Sequence, residues 1–244
     1  MTEFDGLEAL VTGGGSGIGA ATASLLLERG AEVAVLDVDP SGAPDGCRHL
    51  AADVTDDDAV RAALRELDRL DVLVNNAGIG AIGDVTAEDD DAWHHVLDVN
   101  VVGAVRVTRA ALPLLRRSEH AAIVNTCSVL AVVGVPNRAL YSATKGALLS
   151  LTLAMAADFV RDGIRVNAVA PGTADTPWIG RLLDAADDPA AERASLERRQ
   201  PIGRLVTPEE VANAIVYLAS PLSSSTTGTV LGVDGGMGNL RLPS

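Results

Sequence analysis

Short apolar runs recur along this chain with longer amphipathic stretches between them. The runs LEALVT (7–12), EVAVLD (32–37), RHLAA (48–52), DVLVN (71–75), AAIVNTC (121–127), IRVNAVA (164–170) and TVLGV (229–233) have strand length and are rich in Val, Ile, Leu and Ala. Helical spacing predicts helices over 17–29, 56–69, 88–97, 99–117, 141–161, 178–198 and 207–219. Strands with little apolar–polar alternation, separated by helices, imply a parallel sheet covered on both faces. Right-handed crossovers then give an α/β, doubly wound, Rossmann-type sheet with its ligand crevice outside the carboxyl ends of the strands. Between Asp39 and Cys47 the chain offers only PSGAPDG, which predicts a bare turn where a crossover helix would otherwise sit.

Several helix starts are written in local chemistry. Thr207-Pro208-Glu209-Glu210 reads as a capping box with proline at the first helical position. Thr55 with Asp58, and Thr86 with Asp89, are read the same way, and the acidic runs beside them favour the positive ends of helix dipoles. The alternation continues to the end without a Ser/Pro-rich linker, so one domain over 1–244 is expected.

Composition narrows the function classes. Hydrophobic residues make up 48% of the 244 and aromatics 2%, so Ala, Val and Leu must build the core. A net charge of −14 argues against nucleic acid, whose phosphates demand clustered Lys and Arg. Cys47 and Cys127 are too few for a disulfide framework, and Cys127 reads as a small core residue. His94 and His95 have no Cys/His partner pattern, so no metal site is expected. The N-terminus lacks a basic, apolar leader and no run approaches 18 apolar residues, so the expectation is a cytoplasmic protein with no membrane span.

Two motifs carry chemistry. In LVTGGGSGIGAATASLLLERGAEVAVLDVD an apolar strand meets a glycine cluster that opens a helix, and a second strand follows, ending at Asp37. Gly13, Gly17 and Gly19 let the backbone approach a pyrophosphate, and the helix N-terminus offers free N–H groups. Asp37, 18 residues beyond Gly19, can accept hydrogen bonds from adenosine ribose hydroxyls and repels a 2′-phosphate. No Arg or Lys stands in the glycine loop or just after Asp37, which favours NAD over NADP. In YSATK, Tyr141 and Lys145 share a helix face, so the ammonium can lower the phenol pKa and fit it to exchange a proton with a substrate oxygen.

With NNAG at Asn75–Gly78, Ser128 and PGTADTP at Pro171–Pro177, these motifs fall in the order and spacing of the short-chain dehydrogenase/reductase family, and the resemblance runs to VDGG at Val233–Gly236. It implies a catalytic set of Ser128, Tyr141, Lys145 and Asn100. Ser128 would hold the substrate oxygen, and Asn100 would hold a water linking Lys145 to solvent. Lys145 would also bind the nicotinamide ribose. The resemblance further implies cofactor contacts from Ser16, Ile18, Asp53, Val54, Asn76, Ala77, Gly78, Pro171, Gly172, Thr173 and Thr176, and a substrate lid over about 173–200. It implies pairing through the helices 99–117 and 141–161 and the last strand, giving a homotetramer.

VPNRALYS, PGTADTP and RRQPIGR look most like the subgroup with hydroxybutyrate and 2-keto-3-deoxy-sugar-acid dehydrogenases. There Arg138 and Arg199 would grip an acid, since a planar guanidinium binds two carboxylate oxygens. Their other reading is as solvated surface residues. The leading function is an NAD-dependent oxidoreductase interconverting a secondary alcohol and a ketone, with a small hydroxy acid or sugar-derived compound as substrate. The alternatives are a sugar-nucleotide epimerase or dehydratase, whose chains usually extend well beyond this length, and a non-catalytic NAD-sensing binding protein.

Overall fold

In the computed structural model, which describes residues 2–242, the apolar runs form seven strands of one parallel sheet. They are β1 (Glu8–Thr12), β2 (Glu32–Asp37), β3 (Arg48–Ala51), β4 (Val72–Asn75), β5 (Ala122–Thr126), β6 (Arg165–Pro171) and β7 (Val230–Val233). The spatial order is β3-β2-β1-β4-β5-β6-β7, so the winding reverses between β1 and β4. Register places Leu10 opposite Ala34 on one side and Leu73 on the other. The helices are α1 (Gly17–Glu28), α2 (Asp57–Leu64), α3 (Asp90–Leu97), α4 (Gly103–Leu115), α5 (Ala139–Phe159), α6 (Pro177–Asp184), α7 (Pro189–Arg198) and α8 (Pro208–Ala219).

Successive strand residues face opposite ways, so each strand feeds two cores. Leu10, Leu73 and Ile123 pack with α2, α4 and α5 on one face, while Ala9, Val11 and Val74 pack with α1 and α8 on the other. A smaller cluster joins Ile179, Leu196 and Leu205 under α6 and α7. By length and composition alone, Ala139–Asp162 could cross a membrane, although no single run suggested it. Its buried face (Leu140, Thr144, Lys145, Leu148, Thr152) lies against the sheet, as a core helix does.

Several boundaries differ from the sequence reading for local reasons. The helix expected over 178–198 is two helices, because Asp188 caps a new start and Pro189 occupies its first position. The helix expected over 56–69 ends at Leu64. The one expected over 99–117 begins with a π-helical turn at Asp98–Val102 before α4. The caps of α2 and α3 are Asp56 and Asp89 rather than Thr55 and Thr86; each accepts backbone N–H groups of the first turn. The turn after β2 is a single 3₁₀ turn, Pro40–Gly42.

At α8 the capping box forms as read: Thr207 Oγ1 accepts from Glu210 N at 3.2 Å and the Glu210 carboxylate accepts from Thr207 N at 2.9 Å. Arg204 and the Thr207 N–H hold the Glu210 carboxyl down to about 2. Its contribution to stability is therefore fully present above the ordinary value of 4.5 and is lost as pH falls through about 2. Thr207→Ala should cost about 1 kcal/mol in urea unfolding at neutral pH. An unchanged midpoint would show that the box contributes nothing to α8.

Candidate functional site

The carboxyl ends of the strands are stitched together before any side chain reaches for a ligand. Thr12 Oγ1, at the end of β1, accepts from the backbone N–H groups of Asn76 and Ala77 at 3.0 Å each. Asn76 Nδ2 returns bonds to the carbonyls of Thr12 and Gly13, both at 3.1 Å. This draws the loop after β4 onto the glycine loop so closely that a Cβ on Gly13 would stand 2.8 Å from Ala77 Cα. Gly13 also holds φ at +64°, a conformation that disfavours L side chains. A Cβ on Gly19 would overlap the Gly13 carbonyl, so Gly19 sits beneath the loop and does not line the crevice.

The resulting crevice, about 670 Å³, runs across the sheet at the winding reversal. Gly13, Ser16, Gly17, Ile18, Asp37, Asp53, Val54, Asn76, Ala77 and Gly78 line one part of it. Ser128, Tyr141, Lys145, Pro171, Gly172, Thr173 and Thr176 line the rest, with Arg138 and Arg199. Of the residues singled out from sequence, Gly19 and Asn100 alone stand behind the wall.

The glycine loop fits a dinucleotide. Ser16 caps α1 without a side-chain hydrogen bond, and the first turn carries no acid, so its N–H groups and positive dipole end are open to an anion. The Asp37 carboxylate accepts from Gly15 N at 2.9 Å and Asp39 N at 3.2 Å, which fixes its orientation where it borders the crevice. Asp53 is held ionised, its carboxyl lowered by hydrogen bonds from Thr55.

Tyr141 and Lys145 project from the first turns of α5. Lys145 Nζ lies 5.6 Å from the Tyr141 ring centroid and donates to the Thr126 carbonyl at 2.9 Å. The lysine is 4% exposed and has no carboxylate within ion-pair distance among the described residues. A buried cation without a counter-ion is costly, and its retention points to a ligand or a proton that needs it. Ser128 follows β5, is buried, and its Oγ accepts from Leu130 N at 3.2 Å, leaving the hydroxyl proton free to donate. Beneath it, burial pushes the Cys127 thiol up, consistent with a core residue.

Asn100 occupies the π-helical turn. Its Oδ1 accepts from Ile79 N at 2.8 Å, and its Nδ2 donates to Ile79 O at 2.9 Å and Thr144 Oγ1 at 3.1 Å. The side chain therefore ties the loop after β4 to α5.

α6 lies across the opening. Thr176 rests on Gly17, where an added Cβ would meet its Cγ2 at 3.3 Å, and the Trp178 indole covers Gly80 so closely that a methyl there would overlap it. Burial lowers the Arg138 pKa below its usual range, and repulsion from Arg199 adds to the effect. Neither arginine forms an ion pair among the described residues, whereas Arg193 pairs with Asp175 at 2.6 Å and Arg204 with Glu210 at 2.7 Å.

Sequence reasoning missed Thr12, which looks like an ordinary strand residue, and Asn75 and Asn125, buried polar residues inside apolar runs. Asn75 Nδ2 donates to Thr108 Oγ1 at 3.0 Å and Asn125 Oδ1 at 2.9 Å, and Asn125 Nδ2 donates to Thr152 Oγ1 at 2.9 Å, linking α4, β4, β5 and α5. Trp178, from the expected lid, also lines the crevice, as do Arg181 and Met237, which were not named. Among the described residues no group of three or more His, Cys, Asp or Glu is placed to hold a metal.

Residues 13–238 match the family described as Enoyl-(Acyl carrier protein) reductase. The chain is 46% identical to a cis-4-hydroxycyclohexanecarboxylate dehydrogenase of Sinomonas cyclohexanicum, over 93% of this chain and 95% of that protein. The fold superposes on the ligand-free aldohexose dehydrogenase of Thermoplasma acidophilum with a TM-score of 0.92 and 32% identity, each chain covered completely. It also superposes on a protein described as a short chain dehydrogenase/reductase family protein, with a TM-score of 0.87 and 37% identity, over 98% of this chain and 100% of that one.

Proposed function

Because the chain belongs to the short-chain dehydrogenase/reductase family, oxidoreductases that use a nicotinamide cofactor on CH–OH groups, we propose that it uses NAD to interconvert a secondary hydroxyl and a ketone on a small hydroxy acid or sugar-derived acid. The observation that carries this reading is the buried Lys145 ammonium beside Tyr141. A nicotinamide cofactor, when bound, supplies hydride acceptance in the oxidative direction. The remaining work falls to the chain.

Ser128 Oγ donates a hydrogen bond to the substrate oxygen and fixes it in line with Tyr141 Oη, which takes the hydroxyl proton. Lys145 places a positive charge beside that oxygen while Thr126 O anchors the ammonium at 2.9 Å. Asn100 acts as a positioning residue, locking Ile79 against α5. Asp37 takes the adenosine ribose hydroxyls and repels a 2′-phosphate. Arg138 and Arg199, unpaired and near each other, take the substrate's acid group. Residues of about 173–200 form the lid over this space, with Thr176 and Trp178 at its inner edge.

We also propose a cytoplasmic homotetramer. Leu153 on the long helix and Val160 just past its end, and Tyr217 on α8 with Leu222 just after it, are large apolar side chains at least 45% exposed in the single chain. These two faces suit pairing with second copies. Light scattering at micromolar concentration should give four times the 25.0 kDa chain mass, and a monomeric mass contradicts the assembly.

Asp37→Ala should weaken NAD binding and narrow the preference over NADP, read from KM for each. A wild-type enzyme that prefers NADP would refute this use of the strand end. Tyr141→Phe should leave folding and NAD affinity intact while turnover falls by about 10²–10⁴-fold, the usual worth of general acid–base catalysis. Near-normal turnover in Tyr141→Phe ends the mechanism. Arg138→Ala should raise KM for a hydroxy acid about tenfold or more and leave a neutral alcohol almost unaffected, a charge-assisted bond being worth about 1.5–3 kcal/mol. An unchanged KM removes the carboxylate role alone.

A further inference from the structure

The segment proposed as the lid departs just after β6, at Thr173, and ends at Gln200. Its two helices carry a small core of their own, in which Trp178, Ile179, Leu182, Leu183 and Leu196 pack together with Leu205 at the base. Such a body moves as one piece, and its freedom is set where its two ends meet. Past the return end the chain is fixed to the sheet side: Ile202 N donates to Gly235 O at 3.1 Å and Gly203 N to Gln200 O at 2.8 Å. The departing end is joined to that fixed part by Val206 N, which donates to Thr173 O at 3.1 Å, and by Asp175 N, which donates to Val206 O at 2.9 Å.

The Gln200 side chain adds a second tie at the same place. It is 1% exposed and does not line the crevice. Its Nε2 donates to Thr173 O at 3.3 Å, where the lid departs, and to Arg204 O at 2.7 Å, just past the return. The other end of the amide has no such use. Oε1 is buried without a hydrogen-bond partner among the described residues, and it faces Gly172 so closely that a Cβ there would overlap it. A buried acceptor left unpartnered works against stability, and methionine would occupy a similar length without that cost. What methionine cannot supply is the pair of N–H donors. Gly172 and Thr173, which meet this amide, do line the crevice, so the amide supports its wall from behind.

We propose that Gln200 is a positioning residue for the lid. Its amide nitrogen clasps the two ends of the segment, and in doing so holds Gly172 and Thr173 in place for a bound cofactor. The inference rests on the lid and cofactor readings proposed above.

The test compares wild type with Gln200→Met by limited trypsin digestion without cofactor, by thermal unfolding, and by calorimetric titration with NAD. In the variant, cleavage at Arg181 and Arg198, in the lid helices, should quicken by about tenfold, the worth of a hydrogen bond or two. Cleavage at the exposed Arg61 and Arg116, outside the lid, should stay as in wild type. The dissociation constant for NAD should rise by a similar factor. Gln200→Glu has the same shape and loses at least one of the two bonds, since a carboxylate has no hydrogen to donate and a carboxylic acid has one. It should shift both readouts in the same direction. Lid cleavage that quickens only in step with Arg61 and Arg116, or unchanged cleavage and NAD affinity, overturns the inference, as does failure of both variants to fold. Wild-type protein that does not bind NAD while the lid sites still open selectively in the variant overturns the cofactor reading and leaves the clasp standing.

Discussion

The protein keeps a lysine ammonium almost wholly inside itself with no carboxylate beside it among the described residues, and much of the site is arranged around that charge. Lys145 is 4% exposed, and among the described residues its one hydrogen-bond partner is the Thr126 carbonyl. An unpaired buried cation works against stability unless something else requires it. Here the requirement is chemical: the charge stands beside Tyr141 and opens onto the crevice. β5 supplies the carbonyl, α5 supplies both side chains, and the loop after β4, tied to α5 through Asn100, closes the far side. Local cost at a functional site is met by the surrounding core, which on this face of the sheet joins α2, α4 and α5.

The same logic explains the crevice as a whole. Parallel strands end with their carbonyls and loops on one side, and the reversal between β1 and β4 parts the loops there. Thr12 and Asn76 then decide how far apart those loops stand, and the close approach of Gly13 to Ala77 leaves room for glycine alone. In a chain of net charge −14, arginines that form no ion pair among the described residues stand as a local exception at the mouth. Such an exception draws anions in against the field of the rest of the molecule.

Much of this was legible in the sequence, because strands buried on both faces announce themselves as apolar runs and glycine-rich turns carry a local conformational signature. Strand ends were read to within a residue or two, and the capping box at Thr207 was written in four consecutive residues. What escaped depends on partners far away in the chain. Thr12 acquires its role from a loop 64 residues on, and Asn75 and Asn125 look out of place until the sheet brings them together. The break between α6 and α7 is written in Asp188-Pro189, a cap and a first-position proline inside the stretch read as one helix over 178–198. The roles of Arg138 and Arg199 were open on sequence, since only the fold shows that the two guanidinium groups feel each other across one crevice.

If Lys145 is buried for chemistry rather than for packing, removing its charge should separate stability from activity. Lys145→Met keeps the length of the side chain and discards the ammonium. Thermal unfolding of the cofactor-free variant, paired with its turnover, is the most direct measurement. The expected result is a midpoint no lower than that of the wild type with turnover reduced by about 10²-fold or more. A variant that unfolds well below the wild type while its folded fraction still turns over substrate normally would contradict it, because the lysine would then be part of the scaffold alone.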